Sequence, residues 1–207
     1  MATAATRYPP ATASAVADLV RGQPMAWIVC QGVDGTAATP LPLRAETGAD
    51  GRVTTLIGHF ARRNPQVEAL RDNPRAQVLF MGSHAYISPS WLADRTQAPS
   101  WNYASAAFDV EIEFDEDPVF TRHVLDDLIG AMEEGRAHAW STVEMGERYE
   151  RISRGIIAFR ARVLREQAAF KLGQDERDDV FADILAGLDK DGETEVAALM
   201  RAHNPGR

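Results

Sequence analysis

The hydrophobic positions change period along the chain, and each change marks an element. Residues 11–21 carry Val16, Leu19 and Val20 on one side and end at Gly22, the pattern of a short helix. From Met25 the pattern becomes short strands: 25–32 and 36–45 flank Asp34-Gly35, a dipeptide suited to a hairpin because a primed turn needs positive φ. A further strand is predicted over 53–60. Asn64-Pro65 then opens a helix to about Asp72, Asn as cap and Pro in the first turn where no N–H is needed. Another strand follows over 75–82. Phe108, Val110, Ile112 and Phe114 alternate with Asp109, Glu111, Glu113 and Asp115, strict period two with one buried face. Asp117-Pro118 repeats the cap-then-proline device before the stripe Phe120, Val124, Leu125, Leu128, Ile129 and Met132. Residues 157–164 read as a last strand, and 180–188 and 193–202 as terminal helices.

Strands near both ends, an early hairpin and one long inserted helix predict a mainly β, α+β fold: an antiparallel barrel, closed or nearly so, followed by C-terminal helices over 175–207. Residues 1–207 form one domain in this reading, with 1–10 a mobile lead-in. The acidic face of 109–115 is expected opposite Arg160 and Arg162.

Composition narrows the function. Twenty-two Lys and Arg against thirty Asp and Glu give a net charge of −8. Residues 175–207 hold four basic side chains against nine acidic ones, which argues against direct DNA binding, because phosphate neutralisation supplies most of that affinity. The single cysteine, Cys30, cannot form an internal disulfide, and no run approaches a membrane span, so a cytoplasmic protein is expected. No Rossmann, P-loop, hydrolase-elbow or zincin motif is present.

Three segments can carry chemistry. In 58–66 (GHFARRNPQ) a strand meets a helix N-terminus beside His59, Arg62 and Arg63, with Asn64 as cap; such a junction suits a phosphate, although on this segment alone Asn64 as a plain cap with solvated arginines is slightly favoured. Residues 84–103 hold Tyr86, Trp91, Trp101 and Tyr103, four of sixteen aromatics in twenty positions. Stacking faces with nearby polar groups suit a flat heterocycle, and a loop pinned by buried tryptophans is the competing account. In 170–175 (FKLGQD), Lys171 can meet an anion and Gln174 a ring edge.

Together the runs GHFARRNPQ, MGSHAYISPSW, APSWNY and AFKLGQD resemble the signature segments of the PaiB-like family, FMN-binding split-barrel proteins described as transcriptional regulators. They stand in the family's order, and the resemblance spans about 27–200. It implies an antiparallel split β-barrel of the FMN-binding type, a homodimer with FMN near the subunit interface, and flavin-dependent redox activity; a non-catalytic dimeric module that has lost FMN is the alternative. By the same resemblance, His59, Arg62 and Asn64 lie near the flavin phosphate and ribityl chain. Trp101, Asn102 and Tyr103 lie near the ring or ribityl hydroxyls, and Lys171 and Gln174 close the pocket. No catalytic residue and no metal ligand is assigned. The chain departs from the family pattern at Pro40 and at Ala106-Ala107, where a histidine is usual, and at Gly173 and Asp175, where the family has Ser and Asn.

Overall fold

A computed structural model describes residues 7–32 and 34–207, and of residues 2–3 the backbone alone. In chain order the elements are β1 (Ala2–Thr3), α1 (Ala15–Gly22), β2 (Met25–Gly32), β3 (Gly35–Pro42), β4 (Arg44–Thr47), β5 (Val53–Ala61), α2 (Pro65–Asp72), β6 (Arg75–Ile87), β7 (Ser100–Asp115), α3 (Pro118–Glu133), α4 (Arg148–Ser153), β8 (Ile156–Lys171), α5 (Asp178–Asp191) and α6 (Thr194–His203).

The strands form one sheet in the order β3-β2-β6-β7-β8-β5-β4, with β1 parallel to β8 and the other pairs antiparallel. The two edge strands, β3 and β4, are separated by Leu43 alone. The sheet therefore rolls until its edges meet through the covalent chain, a barrel split between β3 and β4 rather than closed by a ladder. Leu43 donates its N–H to the Pro24 carbonyl at 2.9 Å and is fully buried. Gly58 makes room for it, since a Cβ there would lie 2.5 Å from Leu43 Cδ2. The single strand expected over 36–45 is thus two. Pro40 and Pro42 sit on edge strand β3, where a missing donor is tolerated.

The barrel core takes inward residues of strands β2 to β8, among them Ile28, Leu56, Phe60, Val78, Phe108 and Phe159. Local caps formed as expected: Asn64 Oδ1 accepts from the Gln66 N–H and Asp117 Oδ1 from the Val119 N–H, both at 2.9 Å. The acidic and basic faces do meet, Asp109 with Arg165, Glu111 with Arg162, and Asp115 with Arg160.

Two expectations need correction, and two further segments are now placed. The hairpin register pairs Gly32 with Gly35, so Gly35, at φ 121°, opens β3 instead of sitting at the turn centre; Val33 lies outside the described residues. The predicted first helix begins only at Ala15. Residues 84–103 are mostly not loop: β6 and β7 run on to Ile87 and back from Ser100, leaving 88–99 to connect them with a 3₁₀ turn at Pro89–Trp91. Of the lead-in over 1–10, residues 1 and 4–6 lie outside the described residues; the Tyr8 carbonyl accepts from the Phe170 N–H at 2.8 Å and the Pro9 carbonyl is 3.2 Å from His203 Nε2. Helix α4 and the 3₁₀ turn Thr142–Met145 had no sequence signal.

Candidate functional site

Strand β7 divides the candidate residues into two groups. Its inward face is Asn102, Ala104, Ala106, Phe108, Val110 and Ile112, all buried. Its outward face begins with Trp101 and Tyr103 and ends with Glu113 and Asp115.

The strand-to-helix junction sits at the Asp115 end. Arg62 donates to Glu116 just beyond β7 at 2.6 Å, and Arg71 donates to the same carboxylate at 2.8 Å. The two guanidiniums hold the Glu116 carboxyl below the usual carboxylate range, through hydrogen bonding and Coulomb attraction. Arg62 Nε also reaches the Arg154 carbonyl at 3.3 Å. Asn64 is fully engaged: its oxygen caps α2 while Nδ2 donates to Thr39 Oγ1 at 3.0 Å. Behind it Gln66 is buried and donates to the Ile28 and Ala37 carbonyls and Cys30 Sγ. His59 pairs with Ala158 across β5 and β8, on the outward face that α3 covers with Phe120 and Val124. Its Nδ1 is buried with no partner, and burial pushes the imidazole below its ordinary value. Arg63 is exposed beside them.

The second group sits at the other end of β7. Register places Tyr86 opposite Trp101, and His84 opposite Tyr103. Trp101 is more than half exposed, 5.8 Å from the Tyr86 ring edge-on and 6.2 Å from the His84 ring. His84 Nδ1 lies 3.0 Å from the Gly82 carbonyl, which can only accept. The neutral ring therefore carries its proton on Nδ1 and leaves Nε2 as an acceptor. Lys171 pairs with Tyr103 across β8 and donates to Ser100 Oγ.

Asn102 and Gln174 are committed to the fold. Asn102 is buried and donates to Met200 Sδ at 3.2 Å. Gln174 accepts from the Leu172 N–H at 2.8 Å and donates to the Phe170 carbonyl, closing a turn whose Gly173 has φ 80°. A Cβ at Gly173 would stand 3.0 Å from Phe181, so glycine here answers both backbone and packing. Asp175 turns away toward the lead-in, where Arg7 and Tyr8 donate to it at 3.0 and 3.2 Å.

Within one subunit the two groups stay apart. Trp101 and Asp115 are 14 positions apart on one strand, roughly 45 Å of contour at about 3.3 Å per residue. Sequence reasoning missed what lies between them. Outward-facing Leu79 and Met81 on β6, and Met25 and Trp27 on β2, are exposed apolar side chains, and Trp27 pairs directly with Leu79. The signal was present as apolar residues on both faces of one strand. Among the described residues no helix is long and apolar enough to cross a membrane.

Comparison with known proteins fits this architecture. Residues 5–165 match a family described as "Putative FMN-binding domain"; Lys171 and Gln174 lie beyond the matched part. The chain is 30% identical over 158 residues to the protease synthase and sporulation protein PAI 2 of Bacillus subtilis, covering 73% of this chain and 72% of that one. The solved FAD and heme binding protein of Mycobacterium smegmatis superposes with a TM-score of 0.55 at 20% identity, over 83% of this chain and 76% of that one. The flavocytochrome Anf3 of Azotobacter vinelandii gives 0.55 at 13% identity, over 81% and 71%. Those two structures support the split-barrel fold, and the family match with the Bacillus relative supports the lineage. The chain belongs to the PaiB-like family of FMN-binding split-barrel proteins.

Proposed function

We propose that this chain works as a homodimer in which the flavin phosphate meets the junction of one subunit and the flavin ring meets the aromatic end of the other. The observation that carries this reading is the position of the exposed apolar row. Halfway between Trp101 and Asp115 is Phe108, and the outward residue beside it, Ala107, pairs with Leu79, which pairs with Trp27. A two-fold axis through that row would lay two β7 strands antiparallel, aromatic end against junction. Such an isologous contact buries the same patch of both copies.

The side chains suit the cofactor. Arg63 and the His59–Arg62 junction offer cationic and N–H groups to a phosphate, and the orphaned His59 Nδ1 lacks a partner that a polar ligand would supply. The half-exposed Trp101, flanked by Tyr103 and Lys171, offers a stacking face with polar neighbours. Bound FMN supplies one- or two-electron transfer, while the protein contributes position and electrostatics. Of the two residues that border Trp101, the Tyr86 hydroxyl is the candidate proton donor of a redox reaction and His84 Nε2 a candidate acceptor. A regulatory role would run through a partner or metabolite, since α5 and α6 are net acidic.

Light scattering with an FMN titration tests this. The expected result is a mass of twice 22.7 kDa and flavin fluorescence quenched at one FMN per subunit. A monomer, or no quenching at high FMN, overturns it. A salt-dependent mobility shift of duplex DNA at low protein concentration would overturn the indirect regulatory route.

A further inference from the structure

We propose that the cleft between α1 and α6 is a second ligand site, for a small molecule made of an aliphatic chain ending in a primary ammonium. It lies on the inward side of the sheet, behind the aromatic end, and does not depend on the flavin reading. Its volume is about 600 Å³, within the usual size of small-molecule pockets.

The two helices run antiparallel across it. His203 near the end of α6 meets the Pro9 carbonyl ahead of α1, while Glu195 at the start of α6 accepts from Ser83 Oγ at 2.7 Å, beside Gly82. Gly82 in turn packs against Leu19, since a Cβ there would lie 3.3 Å from its Cδ1. The middle of the cleft is apolar: Ala15 and Leu19 form one wall, Ala198 and Leu199 the other, and Ala104 and Phe170 the floor. Alanines facing each other across the cleft keep the walls apart without filling the space between them. From Glu195 to His203 the cleft runs roughly 12 Å at about 1.5 Å per helical residue, the length of a medium alkyl chain.

Only one end is charged. Asp18 and Glu195 line it, with Gln23 and Ser83 as neutral partners. Arg21 pairs with Asp18 at 2.5 Å, so two carboxylates and one guanidinium leave a net charge of −1. The C-terminus of α1 adds partial negative charge at the same place. Among the described residues the opposite end, with Thr12, Ala202 and His203, holds no carboxylate. An apolar trough with an acidic end selects a chain with a cationic head over one with an anionic head.

The site also touches the aromatic end through the sheet. Met200 of α6 accepts from Asn102, which sits between Trp101 and Tyr103. An occupant that shifts α6 would thus move the backbone carrying the exposed tryptophan.

Calorimetric titration of the full chain with n-octylamine, n-octanol and n-octanoate tests the assignment. The amine is expected to bind about tenfold or more tighter than the carboxylate, as attraction to the acidic end replaces repulsion. Asp18→Asn combined with Glu195→Gln should cut that preference to about twofold and leave octanol binding unchanged. Ala198→Leu, at an exposed helix position, should abolish binding of all three while the melting temperature is maintained. Equal binding of amine and carboxylate overturns the proposal, as does undiminished binding to Ala198→Leu. A change of solution mass in Ala198→Leu would assign the cleft to a second copy and overturn it as well. FMN binding is titrated separately on the chain without any of these ligands, so failure of this proposal and failure of the flavin reading are distinguishable.

Discussion

The outward face of β7 and its neighbours is two surfaces on one set of strands. At the Asp115 end it carries Asp109, Glu111 and Asp115 against Arg165, Arg162 and Arg160, and α3 lies over it with the Arg160 guanidinium 3.4 Å above the Phe120 ring. At the Trp101 end the same strands turn Trp27, Leu79, Met81, Tyr86 and Trp101 outward, each substantially exposed. Both halves have the same inward alternation, so neither differs in how it holds the barrel. They differ in what satisfies the outside. Charged pairs are content in water, whereas a contiguous apolar surface on a monomer marks an interaction site. The charged half pairs its charges within one chain, whereas the apolar row leaves Trp27, Leu79 and Met81 exposed, and that row is where the two-fold contact is proposed.

The contrast breaks most sharply at Leu79. Leu79→Glu leaves an exposed position in the monomer fold but puts an unpaired charge at the centre of the proposed contact, a penalty on the order of 3–5 kcal/mol. Light scattering should then report a monomer of unchanged melting cooperativity, while Glu113→Ala in the charged half leaves the mass alone. Next in size is Trp101→Ala. Losing one stacking face should weaken FMN roughly tenfold, about 1–2 kcal/mol, with little change in melting temperature because the side chain is already half in solvent. If the variant binds flavin as tightly as the parent chain, the aromatic end is not the ring site.

These two halves were unequally legible in the sequence, for a physical reason. Period two over 108–115 is unmistakable because one face is charged and the other apolar. Over 100–107 the same strand carries Trp101, Tyr103 and Ala107 outward and Ala104 and Ala106 inward, so the binary pattern vanishes where the outside is apolar too. That is why this arm of the strand left a pinned loop open as the competing account. Helix starts at Asn64-Pro65 and Asp117-Pro118 were legible because a cap is satisfied within two residues. The break at Leu43 was not, since it answers to Gly58 and the Pro24 carbonyl. Of the candidate residues, Trp101 and Lys171 do share one end. The commitments of Asn102 to Met200, Gln174 to its own turn and Arg62 to Glu116 depend on chain segments far away or on a turn the string does not announce. Trp91, singled out with the other aromatics, packs on α5, where a Cβ at Gly187 would stand 2.3 Å from its ring.

A smaller effect separates the halves by pH. Burial holds the His59 imidazole below its ordinary value, with Nδ1 unpartnered. The folded chain therefore keeps the ring neutral at a pH where the unfolded chain has begun to protonate it. Stability is complete above the ordinary histidine range, about 6.5, and declines as the pH falls through it. His59→Leu, beside Ile57 on the face under α3, should flatten that acid limb of the melting profile, whereas Trp101→Ala should run parallel to the parent chain. An undiminished acid limb in His59→Leu would place the lost protons elsewhere. Glu166 has the opposite sign: it is buried, its Oε2 has no partner, and burial raises its carboxyl. Its contribution worsens as the pH rises, so Glu166→Gln should raise the melting temperature at pH 7 more than at pH 4.

The smallest expected effect is in the charged ladder itself. Arg162 reaches Glu111 across β7 and β8, but its side chain is largely in solvent. Coulomb attraction there is weakened by water and salt, and holding two long side chains in one geometry costs entropy. Arg162→Ala should therefore lower stability by about 0.2–1 kcal/mol in chemical denaturation at low salt, and by less as salt is added. Mass and FMN binding should stay as they are, because Arg162 and Glu111 pair with each other within one chain and belong neither to the proposed two-fold row nor to the junction. If Arg162→Ala instead dissociated the dimer, the partner would be gripping the charged half, and the apolar row through Trp27, Leu79 and Ala107 would lose its claim to the two-fold axis.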